Sequence, residues 1–243
     1  MNFYFVFEGK TEPVIYKKWL SVLLPELTEV NSFDSVQKNH YYYVSNMGYP
    51  DCFRTVAKAI QDINLYPFYD YLLLFIDADE LSIEEKLNES NQKIAEHLAL
   101  EPFKSLPINC HLKIIVQNVC IETWFLGNRK FFVRNPISEL LRKYIDYYDV
   151  SINNPENLAE KFQQNEEGSN QIFGYSTKAL FHESYLKEIF KERLGFSYHK
   201  SKPKEVQEAY FLEQLLARVS ENPTHLLSFQ DFVNFCSRVS NKS

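Results

Sequence analysis

Short, almost uninterrupted apolar runs separated by stretches of helical periodicity constrain this chain more than any other feature. Residues 2–7 (Asn-Phe-Tyr-Phe-Val-Phe), 40–45, 71–77 and 112–116 read as strands, too apolar to leave a face in water. Between them, Thr11 can cap a helix with Pro13 in its first turn, and residues 51–64 and 82–100 carry helical spacing. That alternation predicts an α/β fold, with a mainly parallel four-stranded sheet flanked by helices. The 20 Phe and 16 Tyr, clustered as in Phe3, Tyr4, Phe5 and Tyr41 to Tyr43, are expected as buried anchors of that core.

Beyond Asn128 the strand signals thin out, and residues 137–147, 155–162, 178–193, 204–219 and 228–239 read as helices. The expected organisation is an α/β domain over 1–128 and a C-terminal helical extension over 129–243. The polar stretch 163–170, containing Gly168 and Ser169, is the best loop candidate in that extension.

A formal charge of -6 excludes a protein whose whole surface grips nucleic acid, so any such contact must be local. Four scattered cysteines without a CxxC pair suggest neither a zinc site nor a disulfide framework. With no signal-peptide pattern and no apolar run long enough to span a bilayer, a cytoplasmic protein without membrane contact is expected.

Ligands of open parallel sheets bind beyond the carboxyl ends of the strands. Two acidic sites fall there. The third strand ends in Asp77-Ala78-Asp79-Glu80. Strand alternation would put Asp77 and Asp79 on one side, about 7 Å apart, where two like charges call for a proton or a shared cation. Oxygen donors alone favour Mg²⁺ or Mn²⁺ over Zn²⁺. The plainer reading is that these acids end the strand and cap the next helix. The first strand ends in Glu8-Gly9-Lys10-Thr11-Glu12. Its Gly-Lys-Thr suggests a phosphate-binding loop, but the glycine required five positions before Gly9 is Tyr4, so no backbone cradle can form. What remains is an acid on a tight strand-to-helix turn.

A strand ending in Glu-Gly followed by Thr-Glu, then a later apolar strand ending in Asp-x-Asp, resembles the TOPRIM domain, a Rossmann-like fold of topoisomerases, primases and related nucleases. The order of the motifs is most similar to small TOPRIM-like proteins of bacterial phage-defence and mobile loci, including RloB-like proteins and the nuclease half of the overcoming-lysogenization-defect family. The stretch from Gln117 to Leu126, with Glu122 two before Trp124, resembles a segment of that subgroup. Tyr198-His199-Lys200 resembles its basic motif, and the stretch from His225 to Phe232 its terminal helix. The resemblance implies divalent metal on Glu8, Asp77 and Asp79, with Glu12 as the second acid of the nuclease branch. It also implies nuclease activity, and a separate ATPase partner wherever ATP is used. The sequence departs from the longer acidic pattern of some members, since Glu80 and Leu81 follow Asp79.

Glu122 opens a helix, where an acid is favourable without any ligand role, and it is otherwise a candidate second-metal or outer ligand. Residues 187–204 form the most basic stretch, either a solvated face or a phosphate-binding one. Lys200 is the candidate for steadying transition-state charge. Lys200, Lys202 and Lys204, with Lys10 on the first loop, are the candidate nucleic-acid contacts. Of the histidines, His199 and His225 are the two considered for function. Metal-dependent phosphodiester hydrolysis of nucleic acid is the leading expectation. The alternative is a non-catalytic TOPRIM-like module or sensor that binds metal or nucleic acid and works beside a partner ATPase.

Overall fold

The structure, a computed structural model, describes residues 1–45, 48–164 and 173–241. It divides into two compact units. One comprises Met1–Ile76, Ile83–Val116 and Phe232–Ser243, the other Asp77–Ser82 and Gln117–Asp231. Residues 117–128, grouped with the sheet in the sequence reading, fall in the second unit.

The first unit is built on a parallel sheet of β1 (Phe3–Phe7), β2 (Thr28–Glu29), β3 (His40–Ser45), β4 (Tyr71–Asp77) and β5 (His111–Gln117), in the order β2-β3-β1-β4-β5. Five strands stand where four were expected, because β2 has only two residues, both exposed, and so carries no apolar run to read. Phe5 lies in register with Tyr43 on one side and Leu73 on the other, both pairings parallel.

Side chains alternate across this sheet. Phe3, Phe5 and Phe7 share one face with Phe75, whose ring stacks on Phe7 at 4.8 Å. Helix α1 (Glu12–Leu23) covers that face through Tyr16, 4.3 Å from Phe75, and Phe232 closes on the same ring at 5.7 Å. Tyr4 points the other way and donates its hydroxyl to Asp62 of α2 (Asp51–Leu65) at 2.9 Å, and α2 packs on α3 (Ile83–Leu98). Both faces are therefore covered, which is why the strands read as continuous apolar runs. The winding reverses between neighbours β1 and β4: the chain proceeds from β1 toward the β3 edge, and from β4 toward β5.

The second unit is helical: α4 (Ile121–Leu126), α5 (Glu139–Tyr147), α6 (Asn157–Gln164), α7 (Lys178–Leu194), α8 (Ala209–Glu221) and the start of α9 (Leu227–Ser240). Helix α7 packs against α4 and α5, with Tyr144 stacked on Tyr185 at 4.7 Å. Thr177 caps α7 by accepting the Leu180 N–H, and Gly195 ends it at φ 74°, a conformation that favours glycine. The helix expected over 204–219 begins only at Ala209. Lys204–Gln207 is a 3₁₀ turn, and Glu208 is extended before α8 starts. The loop candidate 163–170 lies outside the described residues from 165 onward, and its first two residues end α6.

A buried polar junction fixes the start of α9. Ser228 Oγ accepts from Trp124 Nε1 at 2.7 Å and from the Asn118 N–H at 3.2 Å, and donates to Glu156. The Glu156 carboxylate also accepts the backbone N–H groups of Leu227 and Ser228, at 2.8 and 2.9 Å. An anion is thereby placed on the first turn of the helix, where the unpaired N–H groups attract it.

Candidate functional site

In the second unit, the segment leaving β4 is tied to the one leaving β5. The Ala78 N–H donates to Gln117 O and the Asp79 N–H to Val119 O, each at 2.9 Å. Asp79 and Val119 both hold left-handed backbone, φ 55° and 64°. The β-branched Val119, 1% exposed, gains nothing local from that conformation, so the surrounding packing must impose it. This geometry corrects the strand-alternation argument for the acidic pair. Regular strand stops at Asp77, and the turn at Asp79 takes its carboxylate off the pleat. Glu80 then fastens the segment to α7: it accepts the Lys178 N–H at 2.9 Å, while Lys178 Nζ reaches the Glu80 carbonyl at 2.8 Å.

After Val119, Cys120 is extended and α4 begins with an apolar turn in which every residue from Ile121 to Leu126 is buried. Glu122 is carried into the interior with them, fully inaccessible. Two distant residues meet it. Tyr198 donates its hydroxyl to Oε1 at 2.9 Å, and Lys200 Nζ stands 3.5 Å from Oε2. Lys200 also lies 3.6 Å from Glu183 of α7, while its own side chain stays 44% exposed. Burial alone would weaken its hold on a proton, but Glu122, Cys120, Asp77 and Glu183 together raise it above the ordinary lysine value. Burial and then Glu122 push the Tyr198 phenol up, so it remains a neutral donor. Burial, with Glu122 and Asp77, likewise keeps Cys120 a thiol. The result is a permanent cation, anchored from beneath by carboxylates and open to solvent on its outer side.

In the first unit, Glu8 follows β1 half-buried, its N–H donating to Phe75 O at 3.2 Å and its carbonyl accepting from Gly48. Glu12 is buried and accepts the Gly9 N–H at 2.7 Å, which clamps the turn. Burial and then Glu8 raise the Cys52 thiol to about 12, with Lys86 pulling the other way. Lys86 is 3% exposed and lies 4.9 Å from the Tyr49 ring. It escaped sequence reading because α3 reads as a charged outer helix. Lys10 is exposed. In the second unit, Lys202 and Lys204 are exposed, with Lys204 over the Phe196 ring at 4.1 Å. Much of the basic stretch is locally paired, as in Lys187 with Glu183 at 2.6 Å and Lys191 with Glu188 at 3.8 Å. His199 is exposed against Ser201, and His225 is buried. Glu183, which helps to hold Lys200, carries no signal that would single it out in the sequence, whereas Tyr198 entered only as the first residue of the Tyr198-His199-Lys200 motif, with no role of its own.

Among the described residues no group of three or more His, Cys, Asp or Glu side chains is gathered as a metal cage. None of the described helices is long and apolar enough to cross a membrane. No family model, curated protein or solved structure matches the chain. The fold itself defines the class: an α/β protein with a parallel sheet flanked by helices.

Proposed function

We propose that the chain is a phosphodiesterase of nucleic acid, working with Mg²⁺ or Mn²⁺ and belonging with the TOPRIM-like nucleases of phage-defence and mobile loci. The observation that carries this reading is the convergence on Lys200 of Glu122, Glu183 and Asp77, beside two backbone segments held in left-handed strain. Strain of that kind concentrates at functional positions, and the carboxyl ends of strands next to a reversal of winding are where open parallel sheets bind ligands.

The donors Asp77 and Asp79 are hard oxygens and suit a hard divalent cation, although among the described residues no group of three such side chains is gathered into a ready cage. In this proposal Asp77 and Asp79 hold the ion. The ion, when bound, would supply an activated water or steady the leaving oxygen. Lys200, kept protonated and fixed by Glu122 and Glu183, presents positive charge to a phosphoryl oxygen. Tyr198 keeps Glu122 in place, and Lys202 and Lys204 take neighbouring phosphates.

The test is cleavage of labelled DNA and RNA by the purified protein with Mg²⁺ or Mn²⁺. Asp77→Asn and Asp79→Asn should abolish cleavage, and Lys200→Met should slow it by about 100-fold, as expected for one lost electrostatic stabiliser. Cleavage that survives both aspartate substitutions rejects the assignment. One observation favours the second reading, a binding or sensor module without turnover beside a partner ATPase: Lys200 already neutralises the carboxylates around it without a metal. Binding of metal or nucleic acid with no cleavage of either nucleic acid would select that reading.

A further inference from the structure

A second group of positive charges in the second unit lines a cleft that does not include Lys200. Tyr210, Glu213, Gln214, Arg218 and Glu221 recur at spacings of three and four along α8 and form one wall of a cleft of about 540 Å³. The segment after α4 forms the other wall with Asn128, Arg129, Lys130 and Arg134. Asn128 Nδ2 donates to Gln214 Oε1 at 3.0 Å and holds the walls together. Arg218 is only 8% exposed, yet its Nε is buried without a hydrogen-bond partner. Among the described residues, no ion pair forms to Arg129, Lys130, Arg134 or Arg218, although Glu213 and Glu221 line the same space.

A buried guanidinium nitrogen without a hydrogen-bond partner is costly, and an anion entering from the cleft would relieve that cost. The surrounding charge points the same way. Burial and then Arg129 lower the proton affinity of Arg218, with Glu221 opposing. Burial, Arg218 and Arg129 hold the neighbouring His225 down to about 4. Several cations around one space suit the oxygens of a phosphate better than a single carboxylate, and arginine forks match phosphate geometry in pairs of bonds. The volume lies in the range of small-molecule sites, and the Tyr210 ring, 40% exposed on the wall, offers a face for a sugar or base.

We propose that this cleft is a binding site for a phosphate ester of nucleotide size, with Arg218 as its anchor and Arg129, Lys130 and Arg134 completing the charge. The phosphate can belong to a free nucleotide or to one unit of a strand. The site shares no residue with the proposed phosphodiesterase centre and stands whether or not that centre is active.

Calorimetric titration of the full chain with inorganic phosphate, adenosine monophosphate and a single-stranded oligonucleotide without terminal phosphates tests it. Binding of phosphate or the mononucleotide identifies a free ligand. Binding of the oligonucleotide alone identifies a strand phosphodiester. In either case Arg218→Gln should weaken the interaction at least about tenfold, the worth of one charge-assisted contact. Lys130→Gln and Arg134→Gln, at exposed positions, should weaken it too and keep the test valid should Arg218→Gln fail to fold. Asp77→Asn should bind as the unaltered chain does, which separates this site from the phosphodiesterase centre. No binding of any probe, or binding unchanged in these cleft variants, overturns the proposal.

Discussion

Replacing Lys200 with Met should destabilise the second unit through a residue it leaves untouched, Glu122. The Glu122 carboxylate is fully buried and rests on the Tyr198 hydroxyl at 2.9 Å and Lys200 at 3.5 Å. Removing one partner of a buried ion pair costs about 3–5 kcal/mol, because the other charge stays buried and uncompensated. Lys200 is 44% exposed, so solvent already screens part of the attraction, and about 2 kcal/mol is expected instead. For a chain of this size that loss lowers Tm by about 4–8 °C. Glu122→Gln should cost about 1 kcal/mol, since Lys200 keeps Glu183 while the amide still accepts from Tyr198. The decisive measurement is the double substitution. With no charge left buried, Lys200→Met combined with Glu122→Gln should cost at least about 1 kcal/mol less than the two single losses together. Urea unfolding followed by tryptophan fluorescence reads all four proteins, since Trp19 and Trp124 report on different units. Additive losses, within about 0.5 kcal/mol, would refute the idea that Lys200 holds a buried carboxylate in place.

Two further predictions concern stability. Ser228→Ala removes the acceptor of both the Trp124 indole and the Asn118 N–H, and should cost about 3 kcal/mol in urea unfolding at about 1–3 kcal/mol per orphaned group; a loss under 1 kcal/mol would show that the junction is not needed. Burial, aided by Lys178, pushes His182 down to about 3, below its ordinary 6.5, so the folded form resists protonation. The unfolded chain therefore takes up the proton first, and stability is lost as pH falls from 6.5 toward 3, by about 2 kcal/mol from this group at pH 5. Between pH 8 and 5, His182→Asn should flatten the slope of stability by that amount, and an unchanged slope would contradict the assignment.

The features legible in the sequence are local in origin. Apolar runs bounded by turn residues located β1, β3, β4 and β5 to within a residue or so, because a strand covered on both faces has to be apolar throughout. Helical spacing found the elements packed around them, and it missed where spacing is silent. The two exposed residues of β2 have no period, and Glu208 breaks the helix read across 204–219 without a glycine or proline to announce it. The acidic motifs were legible as motifs, since Glu8 and Asp77 do lie at strand ends. The direction of Asp79 was not, because its left-handed turn depends on a bond to Val119, forty residues away.

Tertiary structure alone decided the charge partners. Glu122 read either as a first-turn acid or as an outer or second-metal ligand, and its partner Tyr198, 76 positions on, was set only by the fold. The cationic cleft joins residues 128–134, whose three basic residues the sequence does show, to a helix face beginning at Tyr210 that carries Arg218 alone, and only the fold brings the two together. The physical reason is one of range. Periodicity records which face of an element is buried, and that is fixed within a few turns of chain, whereas the interaction between two charges depends on a distance in space that only the folded packing sets.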